Sequence, residues 1–233
     1  MNAHLRPTAA LAADAILPGD PKRAMDLATT VMERPLMTNL SRGLWGYTGL
    51  SAKGRELTVQ STGIGGPSAA VVVAELSRLG VRRAIRIGTC IALDPAIALG
   101  QALIVTDAIP ADGVGGTLAT DETEPPDTGL TTALASTVSD ARSGRVASTD
   151  LYYDLVAAQR RDWRQAGALA FEMSAAATFA VARRSGVEAA CGLVVAETAA
   201  GERLSDEALD AAALALGRRA AVALEAQAPA SLP

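Results

Sequence analysis

Several short stretches of this 233-residue chain put charge-handling side chains beside backbone that can approach a ligand closely. The first is PGDPKR, residues 18–23. Gly19 lets the backbone come near a bound group, two prolines stiffen the turn, and Arg23 falls in the first turn of a following helix. A guanidinium there can join the helix N-terminus in holding an anion; the alternative is an ordinary turn with solvated Lys22 and Arg23. The second is RAIRIGT, residues 83–89, where Arg86 stands between isoleucines. An arginine is rarely buried in a strand without an anionic partner, which is either a structural carboxylate or a bound anion. Gly88 and Thr89 follow at once and offer a backbone N–H and a hydroxyl. The third is STGIGGPS, residues 61–68, where glycines precede a helix start, a common setting for backbone turned toward an anion.

Two carboxylates complete the inventory. Glu172 lies between Phe171 and Met173 at a strand-to-helix junction, as a helix-start charge or a ligand contact. Glu197 closes the apolar run CGLVVAE, as an ordinary strand-end acid or as a general acid. His4 is the only histidine, so neither a Ser-His-Asp triad nor a histidine-rich metal site can be built on conventional lines. By itself it reads as a solvated residue of the N-terminal segment.

The elements that must position these groups alternate between strand and helix. DAILP (14–18), RAIRIGT (83–89), ALIVTDAI (102–109), GRVAS (144–148) and CGLVVAE (191–197) read as strands, and WGYTGLSAKGRELTVQSTG (45–63) as a hairpin turning at Ala52–Arg55. Helical spacing covers 22–33, 67–80, 155–167, 173–186 and 205–227, with glycines beyond several ends. The polar segment 111–128 reads as a surface loop. Continuously apolar strands alternating with helices predict an α/β fold with a largely parallel or mixed sheet, and one domain over residues 1–233. In such sheets ligands bind beyond the carboxyl ends of the strands, which is where PGDPKR, GIGGPS, Gly88-Thr89 and Glu197 fall.

Composition narrows the function classes. Hydrophobic residues make up 49% of the chain, enough for a sizeable core. Aromatics are 3% and the net charge is −4, which excludes a basic, aromatic-studded surface for nucleic acid. Cys90 and Cys191 lack metal-ligand spacing and read as buried free thiols. No signal peptide or membrane-spanning run is evident, so a cytoplasmic protein is expected.

Taken together and in this order, PGDPKR, SRGLWGYTG, STGIGGPS, RIGT, FEM and a strand-end acid resemble the nucleoside phosphorylase family, the branch of uridine phosphorylase and the hexameric bacterial purine nucleoside phosphorylases. The resemblance runs from about His4 to the terminal helix. It implies a three-layer α/β/α domain with a central mixed sheet, in dimers assembled into a hexamer. It also implies cleavage of an N-glycosidic bond by inorganic phosphate as co-substrate, with no metal and no organic cofactor. Carried over by position, Gly19, Arg23, Arg86 and Thr89 match phosphate-binding residues. Arg42 and His4 match residues that reach into a neighbouring subunit's site, Arg42 toward the phosphate and His4 toward the sugar. Ile64 and Met173 match apolar sugar contacts, Tyr152 or Tyr153 an aromatic beside base and sugar, and Glu197 the acid that protonates a purine.

Three departures accompany the resemblance. Ser174 stands where the family keeps a second glutamate for the ribose hydroxyls, with Glu172 nearby as a substitute. Ile91 replaces a glycine. The residues that read uracil have no counterpart in the shortened STDLYYDLVAAQRR, and the arginine that assists the acid in purine enzymes is represented only by Arg203. Base preference, uridine- or purine-type, stays open at this point. A nucleosidase using water and a non-catalytic nucleoside- or phosphate-binding protein are the competing readings.

Overall fold

The structure is a computed structural model that describes residues 3–153 and 157–226. The chain opens with the fully buried strand β1 (Asp14–Pro18) and helix α1 (Pro21–Val31). Asp20 caps α1 by accepting from the Arg23 N–H at 2.9 Å, and Pro21 takes the first helical position, where no N–H is required. The strands β2 (Met32–Asn39), β3 (Gly46–Ser51) and β4 (Glu56–Gln60) form an antiparallel meander. Next come α2 (Gly65–Arg78), β5 (Arg83–Ala92), β6 (Ala102–Ala111), α3 (Gly113–Leu118) and α4 (Thr128–Thr137). The rest is β7 (Arg142–Thr149), α5 (Ala157–Gln165), β8 (Ala168–Glu172), α6 (Ala175–Ser185), β9 (Glu188–Glu197) and α7 (Asp206–Ala226).

The described strands join one mixed sheet in the order β2-β3-β4-β1-β5-β8-β7-β6-β9. β9 also pairs in parallel with β5, so the last five strands close into a ring. β1, β4, β5 and β9 run one way, while β8 meets β5 antiparallel through Ile91↔Phe171 and Ala92↔Ala170. The carboxyl ends of β5 and β8 therefore approach each other head-on. This convergence brings the end of one strand set to the end of the other.

Helices cover both faces. On one, Val72, Val73 and Leu76 of α2 and Ala175, Ala176 and Phe179 of α6 pack with Leu17, Ala84 and Cys90. On the other, Ala24, Leu27 and Ala28 of α1, Leu130 and Leu134 of α4, and Leu216, Ala220 and Leu224 of α7 pack with Ile16, Ile85 and Ile87. The expected three layers are present. Small residues set the spacing: a methyl built at Gly217 of α7 would lie 2.6 Å from Leu27 Cδ1, so α7 and α1 touch nearly backbone to side chain. Trp163 of α5 closes a smaller cluster with Ile91 and Phe171. Among the described residues no helix is long and apolar enough to cross a membrane.

Some element boundaries differ from the expectations. The helix expected over 22–33 ends at Val31, and Met32 passes directly into β2. That strand escapes a pattern reading because Arg34 adopts φ 46, Pro35 follows it, and the pairing with β3 slips between Glu33 and Leu36. The segment 111–128 is not all loop, since α3 lies within it, capped by Asp112, whose side chain accepts from the Gly115 N–H at 2.9 Å. Residues 155–156 and Gln227, expected to begin and end helices, lie outside the described residues.

Candidate active site

Strand alternation sends Ile85 and Ile87 to the α1–α7 face and Arg86 to the α2–α6 face. Arg86 is only 7% exposed. One Nη donates to Thr62 Oγ1 at 3.4 Å, the other stands 3.8 Å from Glu172 Oε2, and the buried Nε has no hydrogen-bond partner among the described residues. The sequence left two partners for this arginine. The carboxylate is there, but at a distance and with an edge of the guanidinium still unsatisfied, an arrangement suited to accepting an anion.

Glu172 is held by other groups. Ser148 Oγ donates to it at 2.5 Å, and the N–H groups of Ser174 and Ala175 donate at 2.8 Å each. Its carboxylate thus closes the N-terminus of α6, where the helix dipole favours negative charge. These bonds give Glu172 the role of a helix-start charge. Ser174 is the N-cap residue, buried, with its hydroxyl 3.5 Å from the same carboxylate. Met173 between them is half-buried.

The turn after β4 supplies the adjacent wall. Thr62 and Gly63 donate backbone N–H groups to Pro18 and Gly19 carbonyls at 2.9 and 3.0 Å, stitching the two strand ends together. Gly63 has φ +74, and a methyl there would lie 2.5 Å from Ser68 Oγ, which itself donates to the Thr62 carbonyl. A methyl at Gly19 would fall 4.0 Å from Arg86 Nη1, so this glycine stands beside the guanidinium. Ile64 projects outward, 82% exposed. Gly88 must also be small, because a methyl would meet Leu193 Cδ2 at 2.9 Å and Arg86 Nη2 at 3.2 Å.

Across the sheet end, Arg23 and Gly88 line a cavity of about 310 Å³ with Pro18, Ile87 and Asp210. Half-buried Thr89 alternates with Ile87 and falls on this same face. Arg86 and Arg23 thus approach the end of β5 from opposite faces of the sheet.

A family model described as the phosphorylase superfamily matches residues 14–228. The chain belongs to the phosphorylase superfamily. Among curated proteins, the guanosine phosphorylase of Halorubrum lacusprofundi is 36% identical over 180 residues, 75% of this chain and 74% of that one. The DeoD-type purine nucleoside phosphorylase of Caldanaerobacter subterraneus subsp. tengcongensis is 33% identical over 205 residues, 84% of this chain and 88% of that one. The corresponding protein of Alkaliphilus metalliredigens is 33% identical over 202 residues, 82% and 86% of the two chains. The resemblance to nucleoside phosphorylases read from the motifs is thereby confirmed.

A second cluster in this phosphorylase sits at the end of β9. Arg203 Nε lies 3.3 Å from Glu197 Oε2, and its Nη2 donates to the Tyr152 hydroxyl at 3.2 Å. Tyr152 and Tyr153 meet edge to face, with centroids 4.9 Å apart. Arg203 therefore accompanies the candidate acid Glu197.

Two of the residues expected at the site stand apart from it within the chain. Arg42, in a single 3-10 turn (Ser41–Gly43), is exposed in the left-handed region at φ 60 and has no ion-pair partner among the described residues. His4 Nδ1 is 2.9 Å from Glu75 Oε1 on α2. Glu75 also accepts from the backbone N–H groups of Ala3, His4 and Leu5 at 2.6–3.1 Å. Burial opposes ionisation of Glu75, but the donors from Leu5, His4 and Ala3 together outweigh it and push the carboxyl down to about 2.

A folded-state value below the ordinary one stabilises at neutral pH, and that stabilisation is lost as pH falls from about 4.5 toward about 2. Glu75→Gln should therefore lower stability near neutrality by about 1–3 kcal/mol, read from denaturant midpoints. The gap to the parent protein should shrink as the solution is acidified toward about pH 3. A gap that stays constant would contradict this role.

Residues that pattern reading missed are Thr62, Ser148 and Asp210. Ser148 was within reach, since it stands at the carboxyl end of an identified strand.

Proposed function

We propose that this chain is a purine-type nucleoside phosphorylase, with inorganic phosphate as co-substrate and no metal or organic cofactor. The observation that carries the reading is the buried Arg86 at the end of β5, whose Nη1 lies beside Gly19 and whose Nε has no hydrogen-bond partner among the described residues. Phosphate would sit against Gly19, Arg23, Arg86 and Thr89. A phosphate oxygen forms a bond to the anomeric carbon as the bond to the base nitrogen breaks. Positive charge develops on the sugar and negative charge on the base. The arginines fix the phosphate below the sugar, a contribution of positioning and electrostatics rather than covalent chemistry. Glu197, when protonated, delivers its proton to the departing purine, and Arg203 then faces the carboxylate left behind. Free base and pentose 1-phosphate result. A purine base is favoured over uracil by this carboxylate–arginine pair and by the names of the relatives.

In this reading Ile64, Met173, Tyr152 and Tyr153 line the nucleoside. Ser174 cannot accept two hydroxyl hydrogen bonds as a glutamate would, and Glu172 is already engaged by three donors. The site should therefore discriminate weakly between ribo- and 2′-deoxyribonucleosides. A panel of guanosine, inosine, adenosine and uridine with their deoxy forms tests both statements. Purine nucleosides should be cleaved and uridine left intact; preferential cleavage of uridine would overturn the purine assignment.

Arg42, with no ion-pair partner among the described residues, and His4, held by Glu75 on α2, support a site shared between subunits, in dimers assembled into a hexamer in the cytoplasm. Arg42→Ala and Arg86→Ala should each be inactive alone. When the two are co-expressed, hybrid dimers regain one intact site and activity returns. A mixture as inactive as its components would contradict a shared site.

A further inference from the structure

Arg23 enters the α1–α7 cavity with a specific constraint. Its Nε donates to Asp210 Oδ1 at 2.9 Å, while neither Nη makes a hydrogen bond among the described residues. Asp210 is itself fixed from a second side, with Lys22 Nζ 3.6 Å from its other oxygen and Lys22 in turn bonded to Asp26 at 2.6 Å. The hydrogen bond from Arg23, helped by both cations, holds the Asp210 carboxyl below the usual range against the opposing effect of burial. The helix spacing makes this reach possible. Gly217 admits Leu27 where any side chain would clash, and that brings α7 close enough to α1 for Asp210 to meet Arg23. Both groups are partly exposed at the cavity lining, 27% for Arg23 and 38% for Asp210.

We propose that Asp210 is a positioning residue for the phosphate subsite: it grips the Nε edge of Arg23 and presents the two Nη groups to the bound anion. The inference rests on the phosphorolysis reading. A guanidinium is a planar fork, and fixing one edge fixes the plane of the other. An unrestrained arginine would have to be ordered at the moment phosphate binds, at a cost in side-chain entropy that Asp210 removes beforehand. The carboxylate also places a negative charge near an anion site. That repulsion works against phosphate, but both side chains are solvent-accessible, so it is screened and smaller than the gain from orientation.

The two effects separate in a pair of variants, Asp210→Asn and Asp210→Ala, assayed for KM of phosphate, KM of guanosine and kcat. Asparagine keeps an oxygen to accept from Nε and drops the charge, so its phosphate KM should equal or fall below that of the parent protein. Alanine removes the acceptor and should raise the phosphate KM about ten-fold, the scale of one charge-assisted hydrogen bond. The guanosine KM should stay within about two-fold, because Asp210 does not touch the nucleoside. If both variants lower the phosphate KM, Asp210 is a competing anion and the proposal fails. An unchanged phosphate KM in Asp210→Ala also overturns it, as does a uniform loss in every parameter with a lowered melting temperature in both variants. Base release by the parent protein that does not depend on phosphate would sink the phosphorolysis reading first, and this inference with it.

Discussion

Replacing Arg86 by alanine is expected to remove phosphate-dependent base release while leaving the molecule folded. Breaking a buried ion pair commonly costs 3–5 kcal/mol, roughly, because an uncompensated charge is left behind. Here the remaining carboxylate is not uncompensated. Glu172 keeps Ser148, the Ser174 N–H and the Ala175 N–H, and it stood 3.8 Å from Arg86 in the first place. Stability should therefore change little, and the melting temperature by a few degrees at most. Catalysis should change far more. Removing a preorganised donor from charge that must be held during reaction typically costs about 10²–10³ in rate. Steady-state kinetics with saturating nucleoside should show that loss in kcat/KM for phosphate. Turnover like that of the parent protein would remove Arg86 from the mechanism.

Glu172→Ala should have the opposite profile, with its largest effect on stability. The substitution strips two N–H groups of α6 and the Ser148 hydroxyl of their acceptor and leaves the Arg86 guanidinium buried beside no carboxylate. Lost caps and an unpaired buried charge together place the cost at about 3–5 kcal/mol. For a chain of this size that corresponds to a fall of roughly 10 °C in melting temperature. Glu172→Gln, which keeps one acceptor oxygen, should fall in between. Thermal unfolding monitored by circular dichroism reads the series. An unaltered melting temperature with a raised nucleoside KM would instead make Glu172 a sugar ligand.

The contrast between these two residues shows what could be read from the sequence and what could not. Both stood out as charges in apolar surroundings, because a charge between isoleucines or between Phe171 and Met173 is costly without a partner. That they partner each other depends on β8 running antiparallel to β5, a pairing between distant segments that no local pattern encodes. Strands β1, β5 and β9 were legible because burial on both faces makes them continuously apolar. β2 was not, since a left-handed Arg34 and a proline interrupt the alternation that would have marked it. α3 was hidden by its glycines, which resemble loop sequence and are tolerated because Gly115 leaves no room for a methyl against Asp112 and Ala176.

The site was legible where a residue belongs to a strand end and obscure where packing of two helices decides it. Asp210 lies on α7 among ordinary surface carboxylates, and only the close approach of α7 to α1 turns it toward Arg23. His4 has a similar history. Alone in the sequence it reads as a solvated residue, yet Glu75, from the middle of α2, binds its ring and the backbone around it. Arg203 was a candidate companion of Glu197 only through the family resemblance, and a bridge between their two backbones holds them together.

In the proposed reaction the arginine-lined end of β5 holds inorganic phosphate as the attacking group. The most direct measurement is release of guanine from guanosine by the purified protein, with inorganic phosphate titrated from none to saturation and the sugar product identified. Guanine release should rise hyperbolically with phosphate and be matched one for one by ribose 1-phosphate. Guanine released at the same rate without phosphate, accompanied by free ribose, would contradict it.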